Sequence, residues 1–144
     1  MKITIEGASP AFEEKLLRLL DEHRHELAIT ADTDWSEDRA EWFLRSVTLA
    51  ARTFVRRVVD GGGWADAGDL RDEFGSLRGP TVALARGLQR GVRQGRWPQG
   101  TEAPVAVVYD PDNPSWQRAV GYQMPTEHLL VFQAAFTRLD EATG

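Results

Sequence analysis

Apolar residues recur every three or four positions through most of this chain and alternate with polar ones only in short stretches, so helices are expected to dominate. Lys2 to Glu6 alternates and predicts a short strand that Gly7 ends. Ser9-Pro10 predicts a helix start, with Ser as cap and Pro in the first turn, where its missing N–H is no loss. Phe12, Leu16, Leu19, Leu20, His23 and Leu27 follow at helical spacing. Leu27 to Thr30 reads as a second strand, and a two-stranded unit must pack on the rest of the chain or pair with another copy. The polar run Ala31 to Asp34 marks a boundary between an N-terminal strand–helix unit (1–33) and the main domain (34–144).

Asp34 with Glu37 fits a capping box, and a helix is expected from Trp35 to about Val47, with Ala40, Phe43, Leu44 and Val47 inward. Thr48 can start another, whose apolar face is Ala51, Phe54, Val55, Val58 and Val59, before Gly61-Gly62-Gly63 stops it. One long helix from Trp35 to Asp60 is the alternative. Ser46-Val47-Thr48 makes a poor helix interior and a good joint, which favours two.

Trp64-Ala65 predicts a short strand, and the chain then enters its most structured stretch, Asp66 to Trp97. A short helix to Phe74 ends at Gly75-Ser76, and a longer one begins near Gly79-Pro80. At about 100° per residue, Thr81, Leu84, Leu88 and Val92 share one face of the longer helix. Arg86, Gln89, Arg90 and Arg93 take the other, with Val82 beside them. Gly87, Gly91 and Gly95 form a stripe without side chains between the faces, which lets another backbone come close: a neighbouring helix of the same domain first, DNA or a second subunit as the alternatives. The stripe also points to a helix shorter than a span to about residue 95. Trp97-Pro98 cannot continue it. Pro104 to Tyr109 and Trp116 to Met124 predict a hairpin around the turn Asp110 to Ser115, and Pro125-Thr126 opens a last helix with Leu129, Phe132, Phe136 and Leu139 on one face. The fold class is mostly α with a small β component.

The net charge of −5 would argue against a nucleic-acid partner if it were evenly spread. Residues 1–41 carry a net −6, residues 42–100 a net +5 and residues 101–144 a net −4. Phosphate responds to the local field rather than to the total, and the basic block coincides with the two-helix stretch. Arg-rich faces are commonly just solvated, and 15 Arg against 2 Lys also suits high-GC coding. There is no Cys, hence no disulfide framework or thiolate metal site. No apolar run reaches membrane-spanning length and Met1 to Gly7 has no signal-peptide pattern, so a cytoplasmic protein is expected.

Residues 35–140, about three quarters of the chain, resemble a winged helix-turn-helix domain of the multiple-antibiotic-resistance repressor type. The likeness lies in element order and face polarity: helix, helix, short strand, helix, recognition helix, hairpin wing, closing helix. It implies a dimeric regulator of transcription whose helix at about 79–95 enters the major groove of double-stranded DNA. Arg78, Thr81, Val82, Arg86 and Gln89 are then the candidates for reading bases, since Arg and Gln pair bidentately with guanine and adenine. Arg71, Arg90, Arg93 and Arg96 are the candidates for phosphate, with Arg71 alternatively pairing with Asp72 or Glu73. Asp110 and Asp112 replace the cations of a usual wing tip and would repel phosphate. That feature favours the alternative, a non-catalytic protein-interaction module on the same scaffold.

Nothing in the chain organises catalysis, a cofactor or a metal. There is no phosphate loop or nucleophile elbow, and His23 and His25 point to different faces of a helix with His128 far away. The acids Asp66, Asp69, Asp72 and Glu73 suit a helix start. Trp35, Trp42 and Trp64 are expected in the core, with Trp97 and Trp116 flanking the hairpin and locking it to the recognition helix.

Overall fold

The computed structural model describes residues 3–27, 32–112 and 118–143. In chain order they form α1 (Pro10–Glu22), α2 (Glu37–Ser46), α3 (Leu49–Asp60), β1 (Trp64–Asp66), α4 (Ala67–Phe74), α5 (Arg78–Arg93), β2 (Ala106–Tyr109), β3 (Ala119–Gln123) and α6 (Thr126–Thr143). The protein is mostly helical with one small antiparallel sheet of order β1-β3-β2.

Local chemistry explains most boundaries. The Ser9, Thr48 and Asp66 side chains accept hydrogen bonds from the N–H groups of Phe12, Ala51 and Asp69, capping α1, α3 and α4. Val47 is extended and buried, so α2 and α3 are separate helices. Gly75, at φ +73°, ends α4 in a conformation that side chains disfavour. The glycines after α3 lead into the sheet, where the Gly63 carbonyl accepts from the Met124 N–H at 2.8 Å.

Four expectations are corrected. Residues 3–6 form no strand: Ile3 and Ile5 stand exposed, because alternation without a partner ladder does not hold a strand. The second strand expected from Leu27 lies outside the described residues at 28–30, and Leu27 itself is in none; α1 stops at Glu22, short of His23 and Leu27. Ser36, not Asp34, caps α2, its hydroxyl accepting from the Arg39 N–H. The helix therefore starts two residues late, leaving Trp35 in the core, where its indole donates to the Glu102 carbonyl at 2.8 Å. Trp64 is not a core residue either. It is 41% exposed and lies over Gly121 across the sheet.

The core is aromatic at its centre. Trp97 is fully buried, with ring centroids 5.0 Å from Trp35 and 5.3 Å from Trp42, while Phe132 of α6 lies 5.3 Å from Trp35. Phe54 of α3 meets Tyr122 of β3 edge-on at 4.9 Å, joining helices to sheet. Trp116 lies outside the described residues. α6 is held across α2 and α3 by ion pairs of Arg138 with Glu37 and Asp38 and of Arg56 with Asp140, all partly exposed. The N-terminal helix α1 packs on the end of α5, and Arg39 joins Glu13 at 2.8 Å. No described helix is long and apolar enough to cross a membrane.

Candidate nucleic-acid interface

The buried face of α5 centres on its glycines. Pro80, Gly87, Gly91 and Val92 are buried, with Ala83, Leu84 and Leu88 half-buried around them. A Cβ on Gly87 would stand 2.7 Å from Val47 Cγ1, and one on Gly91 would overlap the indole of Trp97. Past the helix end, Gly95 (φ +72°) abuts the backbone of Glu14 in α1. The expected close approach of a neighbouring helix of the same domain holds at Gly87, which faces Phe43 and Val47 at the end of α2; Gly91 instead faces Trp97 of the following loop, and Gly95 faces α1 of the N-terminal unit. Trp97 fixes the geometry by donating from its indole N–H to the Leu88 carbonyl at 2.9 Å.

That placement rotates the polar face from the one expected. Arg90 borders the core and donates from Nη1 to the Ser46 carbonyl at 2.8 Å, tying α5 to the α2–α3 joint. The open stripe is Arg78, Val82, Arg86, Gln89 and Arg93, of which all but the half-buried Val82 are exposed. Thr81 sits to one side, its hydroxyl donating back to the Leu77 carbonyl at 2.7 Å. The sequence reading missed the rotation because it followed the large apolar side chains, whereas the closest contact is made where there is no side chain.

The basic block of ten Arg shrinks sharply when each guanidinium is followed to its partner. Arg45 pairs with Glu41, Arg56 with Asp140 and Arg57 with Glu73. Arg52 donates to the Leu44 carbonyl. Arg71 donates to the Ala119 carbonyl at 3.1 Å, so it braces α4 against β3 instead of facing Asp72 or Glu73. Arg96 lies 3.7 Å from Glu14 and over the Trp42 ring at 5.0 Å. Among the described residues, the side chains of Arg78, Arg86 and Arg93 alone in this block make no hydrogen bond or ion pair, and all three are on α5. Two phosphate candidates, Arg71 and Arg96, and in part Arg90, are therefore engaged within the fold.

Beside the open stripe is a concavity of about 590 Å³ between the first half of α5 and the α2–α3 joint. Arg78, Arg86 and Arg90 line one side, and Ser46, Val47 and Thr48 line the other. The joint was legible as a break between helices, but its facing α5 is a long-range contact that no local pattern announces. In the hairpin, the Asp110 carboxylate accepts from the Asp112 N–H at 2.9 Å, so the turn begins with two acids; residues 113–117 lie outside the described residues. Among the described residues, no three His or acidic side chains are grouped to hold a metal ion.

Comparison with protein-family models, curated proteins and solved structures finds no match to this chain.

Proposed function

We propose that this protein is a double-stranded DNA-binding regulator of transcription, built as a winged helix-turn-helix and acting as a cytoplasmic homodimer. The observation that carries the reading is the convergence of the unengaged guanidiniums of the basic block on α5, along one open helical stripe with Gln89. Fifteen of the chain's basic residues are Arg, yet most of those near α5 serve the fold. A stripe spared from that use is what a charged partner requires. Arg86 and Gln89 have the donor geometry to read base edges, and Arg93 is placed nearer the helix end, where backbone phosphates are met. The short α4, the Gly75 turn and the hairpin after α5 support the same reading through their order.

In this reading the protein acts by binding alone. A second reading, an adaptor that docks an acidic protein surface, is favoured by Asp110 and Asp112 at the hairpin turn, which oppose a phosphate backbone there. Salt and sequence separate the two. Fluorescence anisotropy with labelled duplexes at two salt concentrations should give binding that falls steeply with salt and weakens when Arg86→Ala and Arg93→Ala are combined. Absence of binding to any duplex at low salt would transfer the assignment to the adaptor.

A further inference from the structure

The hollows on this molecule differ in the sign of their walls. The hollow between α1 and the end of α5 has Asp21 beside Arg24. The one at the start of α2 sets Glu13, Glu14 and Asp38 against Arg39 and Arg96. The one at the hairpin sets Asp66 and Asp110 against Arg71 and Arg118. The concavity flanking α5 contains Arg78, Arg86 and Arg90 and no acid among the described residues.

We propose that this concavity is a seat for a phosphate group, carried either by a nucleic-acid backbone or by a small phosphorylated molecule. Three features suit it to an oxyanion. Guanidinium forks bind oxyanions through charge-assisted, often paired hydrogen bonds. Arg90 is held in place by the Ser46 carbonyl through one of its nitrogens, so it is oriented before any ligand arrives. Thr48, on the opposite wall, caps α3, so the positive end of that helix adds to the field. Val47 and Val82 add apolar side chains to the lining, which offer the guanidiniums no competing partner.

Arg78 and Arg86 are thereby reassigned from reading bases to gripping phosphate, leaving Val82 and Gln89 toward the groove and Arg93 at the backbone near the helix end. The inference rests on the DNA reading only for the source of the phosphate. It also explains why the two arginines bordering the joint have no acid of their own: the seat supplies their partner when filled.

The test uses the full chain labelled with nitrogen-15, titrated separately with inorganic pyrophosphate and with a short duplex at low salt. Backbone amide and arginine Nε–Hε resonances are read, and affinities are measured for the native chain, Arg78→Gln/Arg86→Gln and Arg93→Gln. Pyrophosphate should move the Arg78, Arg86 and Arg90 signals and the Thr48 to Ala50 amides. The double variant should weaken it by about tenfold per guanidinium removed, with Arg93→Gln near native. Both replaced residues are exposed, so an unchanged melting temperature is expected and verifies folding. Pyrophosphate binding without duplex binding keeps the seat and removes the DNA reading. Duplex binding that depends on Arg93 but not on Arg78 and Arg86 keeps the DNA reading, and it overturns the seat when pyrophosphate binding is also unaffected by Arg78→Gln/Arg86→Gln. If neither ligand moves these resonances, the seat is overturned as well.

Discussion

Gly91 and Trp97 share one volume: the indole fills the place that a Cβ at residue 91 would need, and its N–H reaches the Leu88 carbonyl one turn earlier. The chain leaves α5 at Gln94, reverses through Gly95 and returns its next aromatic residue against the helix it has just made. The orientation of the whole basic stripe depends on this fold-back.

Gly91→Ala should therefore destabilise the protein. The gain in helix propensity of about 1 kcal/mol is outweighed by overpacking of typically about 1–3 kcal/mol, with displacement of the ring on top of that. Gly79→Ala, in the first turn of the same helix, meets nothing beyond its chain neighbours, but the ring of Pro80 disfavours a helical residue with a Cβ before it, so the net change there should be small. Chemical denaturation of both variants checks the difference; equal destabilisation would mean that the close packing at Gly91 is not what distinguishes them.

The acid limb of stability should report two ion pairs. The Arg57 hydrogen bond holds the Glu73 carboxyl below its ordinary 4.5, and the Arg56 hydrogen bond holds Asp140 below 3.8. The unfolded chain thus takes up protons first as pH falls. The stabilisation is complete above these ordinary values and is lost as pH drops through the lower, folded ones. Melting temperatures from pH 7 to pH 3 should fall less steeply for Glu73→Gln/Asp140→Asn than for the native chain. Equal slopes would show that both pairs are open in solution.

The alkaline limb has a different reporter. Burial raises the Tyr122 phenol above its ordinary 10.0, opposed by Arg71 and reinforced by Tyr109. Here the folded state keeps the proton longer, so stability is whole below pH 10 and declines above it. Tyr122→Phe should flatten that decline while preserving the edge-on contact with Phe54. An unchanged alkaline limb in the variant would assign the effect to another group.

Salt dependence of duplex binding should follow the partner of each arginine. Arg86→Ala and Arg93→Ala should each reduce the slope of log affinity against log salt by about one where the residue meets phosphate. Arg56→Ala, which removes a cation already paired with Asp140, should leave the slope unchanged and lower stability instead. A slope that drops equally in all three variants would indicate only a diffuse field.

What could be read in advance was what neighbours in sequence decide. Ser9-Pro10, Thr48, Asp66 and Gly75 act within one turn, and each starts or ends the helix expected of it. Trp35 is in the core as expected, though just before α2, whereas Trp64 was misplaced because an indole can fill a core or shield a glycine strand, and the partner settles which. Trp35 found Glu102 and Trp97; Trp64 found Gly121. The alternation at the N terminus suggested a strand, but pairing is a property of two segments. The open stripe was partly legible for the same reason. Arg86, Gln89 and Arg93 follow from helical spacing, whereas the engagement of Arg71, Arg90 and Arg96 depends on Ala119, Ser46 and Glu14, remote in the chain.

The cluster of Trp35, Trp42 and Trp97 has an optical consequence. Indoles with centroids 5.0 and 5.3 Å apart couple their electronic transitions, and the sign and strength of the resulting circular-dichroism bands depend on their mutual angle. Trp97 is anchored to α5 and Trp42 belongs to α2, so any tilt of the basic helix relative to its support rewrites that spectrum. The protein carries a native, label-free gauge of how its charged helix is seated, readable in the same cuvette before and after a partner is added.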